Sequence, residues 1–232
     1  RQRQMCIRDS INGLDGHYSQ ILMNSRPVFS ALTGVYGLEQ IPANMIDRVE
    51  VMRGGGSALF GSSAIGGTVN IITKDPSENS ARVSHTLMSI GPSGKLDNNT
   101  TLNASVVTNN NKAGIFIYGQ SRYRDGYDHN DDGFTEVAQL KTQTLGARTF
   151  LRTSDASKLP LEYHNTHEYR RGGDQLDEPA HLAMIAEQVE HDIHGGEATF
   201  DLWMRDHTDK LSVFTAMMST KRKSYYGCLL YT

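Results

Sequence analysis

Arg48-Val-Glu-Val-Met-Arg-Gly-Gly-Gly-Ser-Ala-Leu-Phe-Gly-Ser-Ser-Ala-Ile-Gly-Gly-Thr-Val-Asn-Ile-Ile-Thr-Lys74 is the stretch on which the fold turns. Arg48 to Met52 alternates charged and apolar residues, the signature of a half-buried strand. Gly54 to Gly67 is glycine-rich and suits close backbone packing and positive φ. Thr68-Val-Asn-Ile-Ile-Thr73 is a second, β-branched strand. A glycine-rich stretch after a strand also raises the idea of a phosphate cradle. No G-K-(S/T) follows, so this is not a P-loop, and Leu59 stands where the third glycine of G-x-G-x-x-G would follow Gly54 and Gly56. A nucleotide site is therefore rejected, and with it the soluble enzyme that would be built on one.

The stretch before the motif continues the pattern. Gln20 to Met23 is a short strand candidate. Ile41-Pro-Ala-Asn-Met-Ile46 reads as a helical turn with Pro near its start. Together with the motif this predicts a compact α+β unit over residues 11–76. The motif resembles the plug domain of TonB-dependent outer-membrane receptors. Plugs of that family carry (I/V)-x-R-(I/V)-E-V, then R-G-x-x-S-x-L-(Y/F)-G, then A-(I/L)-G-G-x-(I/V)-N-I-(I/V)-T-K, and nearly every position matches. Leu38-Glu-Gln-Ile-Pro42 fits as well. Asn24-Ser25 departs from the pattern, standing where many members have Asp-Gly. The fit looks closer to the Bacteroidetes branch and to cobalamin-type receptors than to others.

The resemblance implies a plug followed by the first strands of an antiparallel transmembrane β-barrel, part of a cylinder of about 22 strands with a filled lumen. It implies that Arg48, Glu50 and Arg53 pair across the plug and with the barrel wall, since charges on a buried-type strand need partners. It places Phe29 to Gly37 at a plug apex, where Phe29, Ser30, Leu32, Thr33, Val35 and Tyr36 would touch a bulky metal chelate with hydrophobic faces. The other reading of Phe29, Leu32 and Tyr36 is packing inside the plug, and both stand at this point. The expected partners are TonB, through a segment before residue 1, the outer-membrane lipid, and a small-molecule chelate of cobalamin or iron–siderophore type. The expected activity is energised uptake, with no chemistry on the cargo. The alternatives are a surface module that binds ligand without transport, and a soluble β-rich enzyme.

Outward from the motif, Asp75 to Ser80 is rich in Pro and small polar residues and reads as a connection, with residues 77–80 as the linker proper. Residues 81–227 read as about seven strands. Leu102, Ala104 and Val106 oppose Thr101, Asn103 and Ser105. Ile115 and Ile117 alternate with Phe116, Tyr118, Gln120 and Arg122. Leu159, Leu161 and Tyr163 alternate with Pro160, Glu162 and His164, and Ala198, Phe200, Leu202 and Met204 with Glu197, Thr199, Asp201, Trp203 and Arg205. Period two puts one face in lipid or core and the other in water. Val137 to Arg152 changes phase near Leu145, which suggests a bulge there. Connections alternate in length: Asn109–Lys112, Ser154–Lys158 and His207–Lys210 are short, whereas Asp125–Phe134 and Arg170 to about Val189 are long. Short turns on one side and long loops on the other fit an outer-membrane barrel, although seven strands could also make a soluble sandwich.

Composition agrees. The 232 residues carry a net charge of −3, with 21% charged and 38% hydrophobic residues. That balance opposes a nucleic-acid partner, which needs a basic face, and opposes wholesale disorder. The two cysteines, Cys6 and Cys228, lie near the termini. Met5 to Ser10 can be encoded by ATG TGT ATA AGA GAC AGC, whose reverse complement in another frame contains TGT CTC TTA TAC ACA, the codons of Cys228 to Thr232. Residues 1–10 and 228–232 are accordingly expected to be adapter-derived, with the gene cut at both ends. A missing signal peptide then carries no meaning.

One further motif falls in a predicted outer loop. Asp128-His-Asn-Asp-Asp-Gly133 matches the start of a calcium loop, with Asp128, Asn130 and Asp132 as alternate oxygen donors around a turn glycine. The twelfth position, where an EF-hand has Glu, holds Gln139. The competing reading is a solvated turn. No other cofactor is expected. His164 and His167 are three apart on a strand and so face opposite ways. His191 and His194, near Glu190 and Asp192, are expected in or beside the second long loop, where exposed polar residues are the favoured reading over a metal site. Tyr225 and Tyr226 fit either a membrane-interface belt or ordinary strand positions.

Overall fold

The computed structural model describes residues 19–27, 41–54, 57–61, 64–92, 94–205 and 208–228. The chain divides into two units, Arg1–Lys74 and Asp75–Thr232.

The first unit contains a four-stranded sheet in the order β2-β1-β4-β3. Its strands are β1 (Ser19–Met23), β2 (Arg26–Pro27), β3 (Ile46–Arg53) and β4 (Gly67–Thr73). β4 lies parallel to β1 and antiparallel to β3. With ladders on both sides, β4 is the centre of the unit, and Thr68, Asn70, Ile71 and Thr73 are buried along it. Leu22, Met45 and Ala64 are buried as well. The short turn Ala43–Met45 and helix α1 (Ser57–Phe60) complete the described part.

The strand expected to be half-buried behaves differently. Among the described residues β3 is hydrogen-bonded on one side only, and Val49 is 51% and Val51 58% exposed. Alternation reports that the two faces differ in polarity. It does not report whether either is covered, and an edge strand has fewer neighbours to cover it.

The second unit is one antiparallel sheet of seven strands in sequence order: β5 (Ser80–Ile90), β6 (Lys95–Val107), β7 (Ala113–Arg124), β8 (Gln139–Ser154), β9 (Ser157–Gly173), β10 (Ile185–Met204) and β11 (Asp209–Cys228). A single up-and-down sheet is not a sandwich, which needs two facing sheets. The polarity of its faces is inverted relative to a soluble sheet. Val83 (70% exposed), Leu102, Val106, Leu145, Leu161, Phe200, Val213 and Met217 (80%) point out, while Ser105, Thr142, Thr144, Glu162, Thr166, Glu168 and Asp201 are buried on the opposite face. The inner polar groups bond one another. Arg122 forks onto Asp97 at 3.0 and 2.5 Å, and the Thr144 and Thr166 hydroxyls meet at 3.1 Å.

The change of phase near Leu145 is not a bulge. β8 keeps continuous register with β7 from Leu140 to Leu151, and its irregularity with β9 lies between Leu151 and Ser154. What changes at Leu145 is the chemistry of the outward face: Lys141 and Gln143 precede it, and Ala147, Thr149 and Leu151 follow. The outward face is thus apolar near the short turns and polar toward the long loops. The second long loop is also shorter than expected, since β9 runs to Gly173 and β10 starts at Ile185. Its strands project past the apolar band, and in that section apolar alternation no longer marks a strand.

Candidate functional site

Two places in the structure have the character of a site: the polar network around the glycine motif, and a carboxylate loop at the long-loop end of the sheet.

In the first, the tight turn between β1 and β2 puts Asn24 (φ 51°) and Ser25 (φ 65°) in the left-handed region, the geometry of a two-residue hairpin that favours Asn-Gly or Asp-Gly. Ser25 is held there by Asn70 from β4, whose Oδ1 accepts the Ser25 backbone N–H at 2.8 Å and whose amide donates to Ser25 Oγ at 3.1 Å. The same amide donates to Glu50 Oε2 at 3.1 Å. Asn24 Oδ1 accepts from the Thr73 backbone and hydroxyl, both at 3.1 Å. The motif's Asn70 therefore links the hairpin to Glu50 on β3, which explains why the departure at Asn24-Ser25 is tolerated.

Arg48 donates to Glu50 at 2.9 Å and to Asp47 at 3.0 Å. These bonds to Glu50 and Asp47 raise its pKa above the ordinary value. Arg48, Glu50 and Arg53 are all exposed in this chain. Among described residues, Arg48 and Glu50 pair locally, within two positions on one edge strand. The expected apex residues Phe29, Ser30, Leu32, Thr33, Val35 and Tyr36 lie outside the described residues.

The second place is the loop from Asp125 to Ala138, between β7 and β8. A backbone bridge between Tyr127 and Val137, with N···O distances of 2.9 and 3.1 Å, closes its base. Inside it, the Asp128 carboxylate accepts the N–H groups of Asn130, Asp131 and Gly133 at 3.2, 2.8 and 2.8 Å. Asp132 accepts from Phe134 at 2.9 Å and Glu136 from the His129 N–H at 2.7 Å. Asp131 (φ 58°) and Gly133 (φ 88°) supply the left-handed turns that wrap the backbone round the carboxylates. As a result, one carboxylate oxygen each from Asp128, Asp132 and Glu136 lie within 4.8 Å of one another. Three converging carboxylates repel, and a hard divalent cation is the partner that offsets this. Asn130 directs its amide nitrogen to Asp132 at 3.0 Å. Glu136, the ninth position of the loop counted from Asp128, was not singled out in the sequence. An EF-hand count could have found it, since that position is one of the ligating ones.

The histidines also sort themselves. His191 is not a loop residue: it sits on β10, 1% exposed, with Nδ1 3.5 Å from the Glu168 carboxylate. His194 faces the other way and bonds the Tyr163 hydroxyl at 2.8 Å. His167 pairs with Asp192 at 3.3 Å on the outward face.

Comparison with known proteins places this geometry. Residues 7–68 match the family model described as the TonB-dependent receptor plug domain. The vitamin B12 transporter BtuB of Photobacterium profundum is 30% identical over 166 residues, covering 67% of this chain and 25% of that protein. The ferric enterobactin receptor PirA of Pseudomonas aeruginosa is 36% identical over 78 residues, covering 29% of this chain and 10% of the relative. The chain thus spans about a quarter of the length of the first of these relatives. Among solved structures, the siderophore receptor PirA of P. aeruginosa superposes with a TM-score of 0.67 at 18% identity, over 90% of this chain and 34% of the other. A mutant of the ferric enterobactin receptor PfeA of P. aeruginosa, in complex with enterobactin, gives 0.71 at 15% identity, over 92% and 34%. At those identities the likeness is one of fold.

Proposed function

From the premise that this chain belongs to the TonB-dependent receptors of the bacterial outer membrane, we propose that the intact protein imports a large, scarce nutrient, a cobalamin-like or iron–siderophore chelate, with energy delivered through TonB. The observation that carries the reading is the order of two features along one chain. A glycine-motif unit comes first, and a sheet with its apolar face outward and its polar face inward follows at once. A soluble sheet of the same size would do the reverse. The outward apolar face also argues against a soluble β-rich enzyme. Closure into about 22 strands would leave a bore wide enough to need filling, and residues 11–76 are the natural filling. The apex residues Phe29, Ser30, Leu32, Thr33, Val35 and Tyr36 are the proposed contacts to the chelate.

The loop at residues 128–136 is proposed to bind calcium through Asp128, Asp132 and Glu136, with Asn130 shaping the turn. Its support is the convergence of the three carboxylates at the loop end of the sheet.

Uptake of radiolabelled cyanocobalamin and of ferric catecholate chelates by cells expressing the full-length receptor, with and without TonB, tests the main proposal. Uptake that needs both receptor and TonB is expected. Binding at the surface with no TonB-dependent uptake would replace the proposal with that of a non-transporting binding module.

A further inference from the structure

The division between the two units falls at the Lys74–Asp75 peptide bond, and each side of that bond is tied down within its own unit. Lys74 ends the first unit: its N–H donates to Met45 O at 2.9 Å and its Nζ to Asn44 O at 3.0 Å. Asp75 opens the second. Its carboxylate accepts from Arg148 Nε on β8 at 2.6 Å and from Lys158 Nζ on β9 at 3.2 Å. Arg148 is itself fixed from the far side, by Glu162 at 2.6 Å and Glu197 at 3.6 Å, on β9 and β10. The guanidinium is therefore shared among three carboxylates. Lys158 is steadied over the Phe150 ring, 5.0 Å from its centroid. The following residues continue the attachment. Pro76 is buried, and its Cβ lies 3.2 Å from where a side chain on Gly114 would begin. Asn79 Oδ1 accepts the Val107 N–H at 2.7 Å.

A connection that only had to join two units would be solvated and free of such bonds. Residues 75–79 instead lie along the inner ends of β6 to β9, bonded at both ends and packed in the middle. Ordering five residues costs backbone entropy, and the ion pairs of Asp75, the burial of Pro76 and the Asn79 bond oppose that cost. A bidentate-capable Arg with a planar fork suits this role better than Lys would.

We propose that Asp75 is a positioning residue: by clasping Arg148 and Lys158 it fixes the first residue of the second unit to that unit's own sheet, so that a pull transmitted through Lys74 is not taken up as slack in residues 75–79. The proposal rests on the reading of the first unit as a plug that is moved during transport. Its test does not require transport.

The test uses the full-length receptor in outer-membrane vesicles, in a background without other cysteines, with a nitroxide at S77C. Its spectrum reports whether the segment moves on the nanosecond scale. The parent is expected to show an immobile component, which Asp75→Asn loses and Asp75→Glu retains. Arg148→Gln is expected to lose it as well. Heat-modifiable migration on gels establishes that each variant is folded. A Glu78→Cys label repeats the reading should S77C itself disturb the segment. An Asp75→Asn spectrum that overlays the parental one, in folded protein, overturns the proposal. So does a parental spectrum that is already mobile. Uptake measured in the same variants is a separate axis. Loss of the immobile component with no TonB-dependent uptake in the parent would leave the clasp standing and remove the transport reading.

Discussion

Placing an arginine at Leu161 should destabilise the intact protein far more than placing one at Gln143. Leu161 is outward-facing on β9, 41% exposed, and opposite Thr149 on β8 and Ala198 on β10. That row lies mid-way through the apolar band, which on β8 runs from Leu151 to Leu145. Gln143 is outward too, opposite Ser121 and His167, about six residues along β8 from Thr149. At about 3.3 Å per residue and a tilt near 40°, that separation lifts Gln143 by about 15 Å, beyond half of a ~25 Å apolar band. An Arg at the midplane of a barrel's lipid face costs about 2–4 kcal/mol, falling to about 0–1 at the interface. In a water-exposed sheet both changes would stay within about 0.5 kcal/mol. The assay is urea unfolding of the full-length protein folded into phosphatidylcholine vesicles, followed by tryptophan fluorescence. A ΔΔG above about 2 kcal/mol for Leu161→Arg with one below about 1 for Gln143→Arg is expected. Equal, small costs at both positions would refute the assignment of the outward face to lipid.

Three further outcomes follow from the geometry. Burial pushes the Asp75 carboxyl up, but Arg148 and Lys158 outweigh it and its pKa lies below the ordinary value; the stability it contributes is therefore complete above about pH 4 and is lost as pH falls through the lowered value, so the gap in urea midpoint between parent and Asp75→Asn should shrink in acid, and a gap independent of pH would contradict this. Calcium should raise the unfolding free energy of the parent by about 2.7 kcal/mol at a hundredfold excess over Kd, with the gain absent in Asp132→Ala and in Glu136→Ala; calorimetry that shows no calcium response in the parent would end the assignment. A methyl at Gly146 would meet the buried Tyr118 ring at 2.3 Å, whereas one at Gly119 would find its nearest neighbour at 3.7 Å, so Gly146→Ala should cost about 1–3 kcal/mol and Gly119→Ala should be close to neutral in the same unfolding assay.

Much of the fold was legible because its determinants are local. Alternation in Leu102–Val106, Ile115–Tyr118 and Ala198–Met204 assigned strands and faces correctly, since a period of two is imposed by the pleat itself. The helical turn at Ala43–Met45 is marked by Pro42 at its start, and β4 by its run of β-branched residues. What local pattern could not supply was the surroundings of each face. β3 alternates like a covered strand yet, among the described residues, stands at the edge of its sheet. His191 reads as a loop residue because the strand around it has left the apolar band, so its neighbours Glu190 and Asp192 look like loop residues. Glu136 stands out less because the loop's terminal position holds Gln139, and the convergence of Asp128, Asp132 and Glu136 depends on φ values at Asp131 and Gly133 that composition only hints at. Arg148, Glu162 and Glu197 come from three strands, and nothing in the chain between them marks that the two carboxylates share the one guanidinium.

The most direct test of the lipid-facing sheet is nitroxide accessibility along β10 in the full-length protein in vesicles, measured with oxygen and with a water-soluble nickel reagent. Ala198, Phe200 and Leu202 should favour oxygen, and Glu197, Thr199 and Asp201 between them should not, giving a period of two. Nickel access at Ala198, Phe200 and Leu202 equal to that at their neighbours would place that face in water and contradict the account.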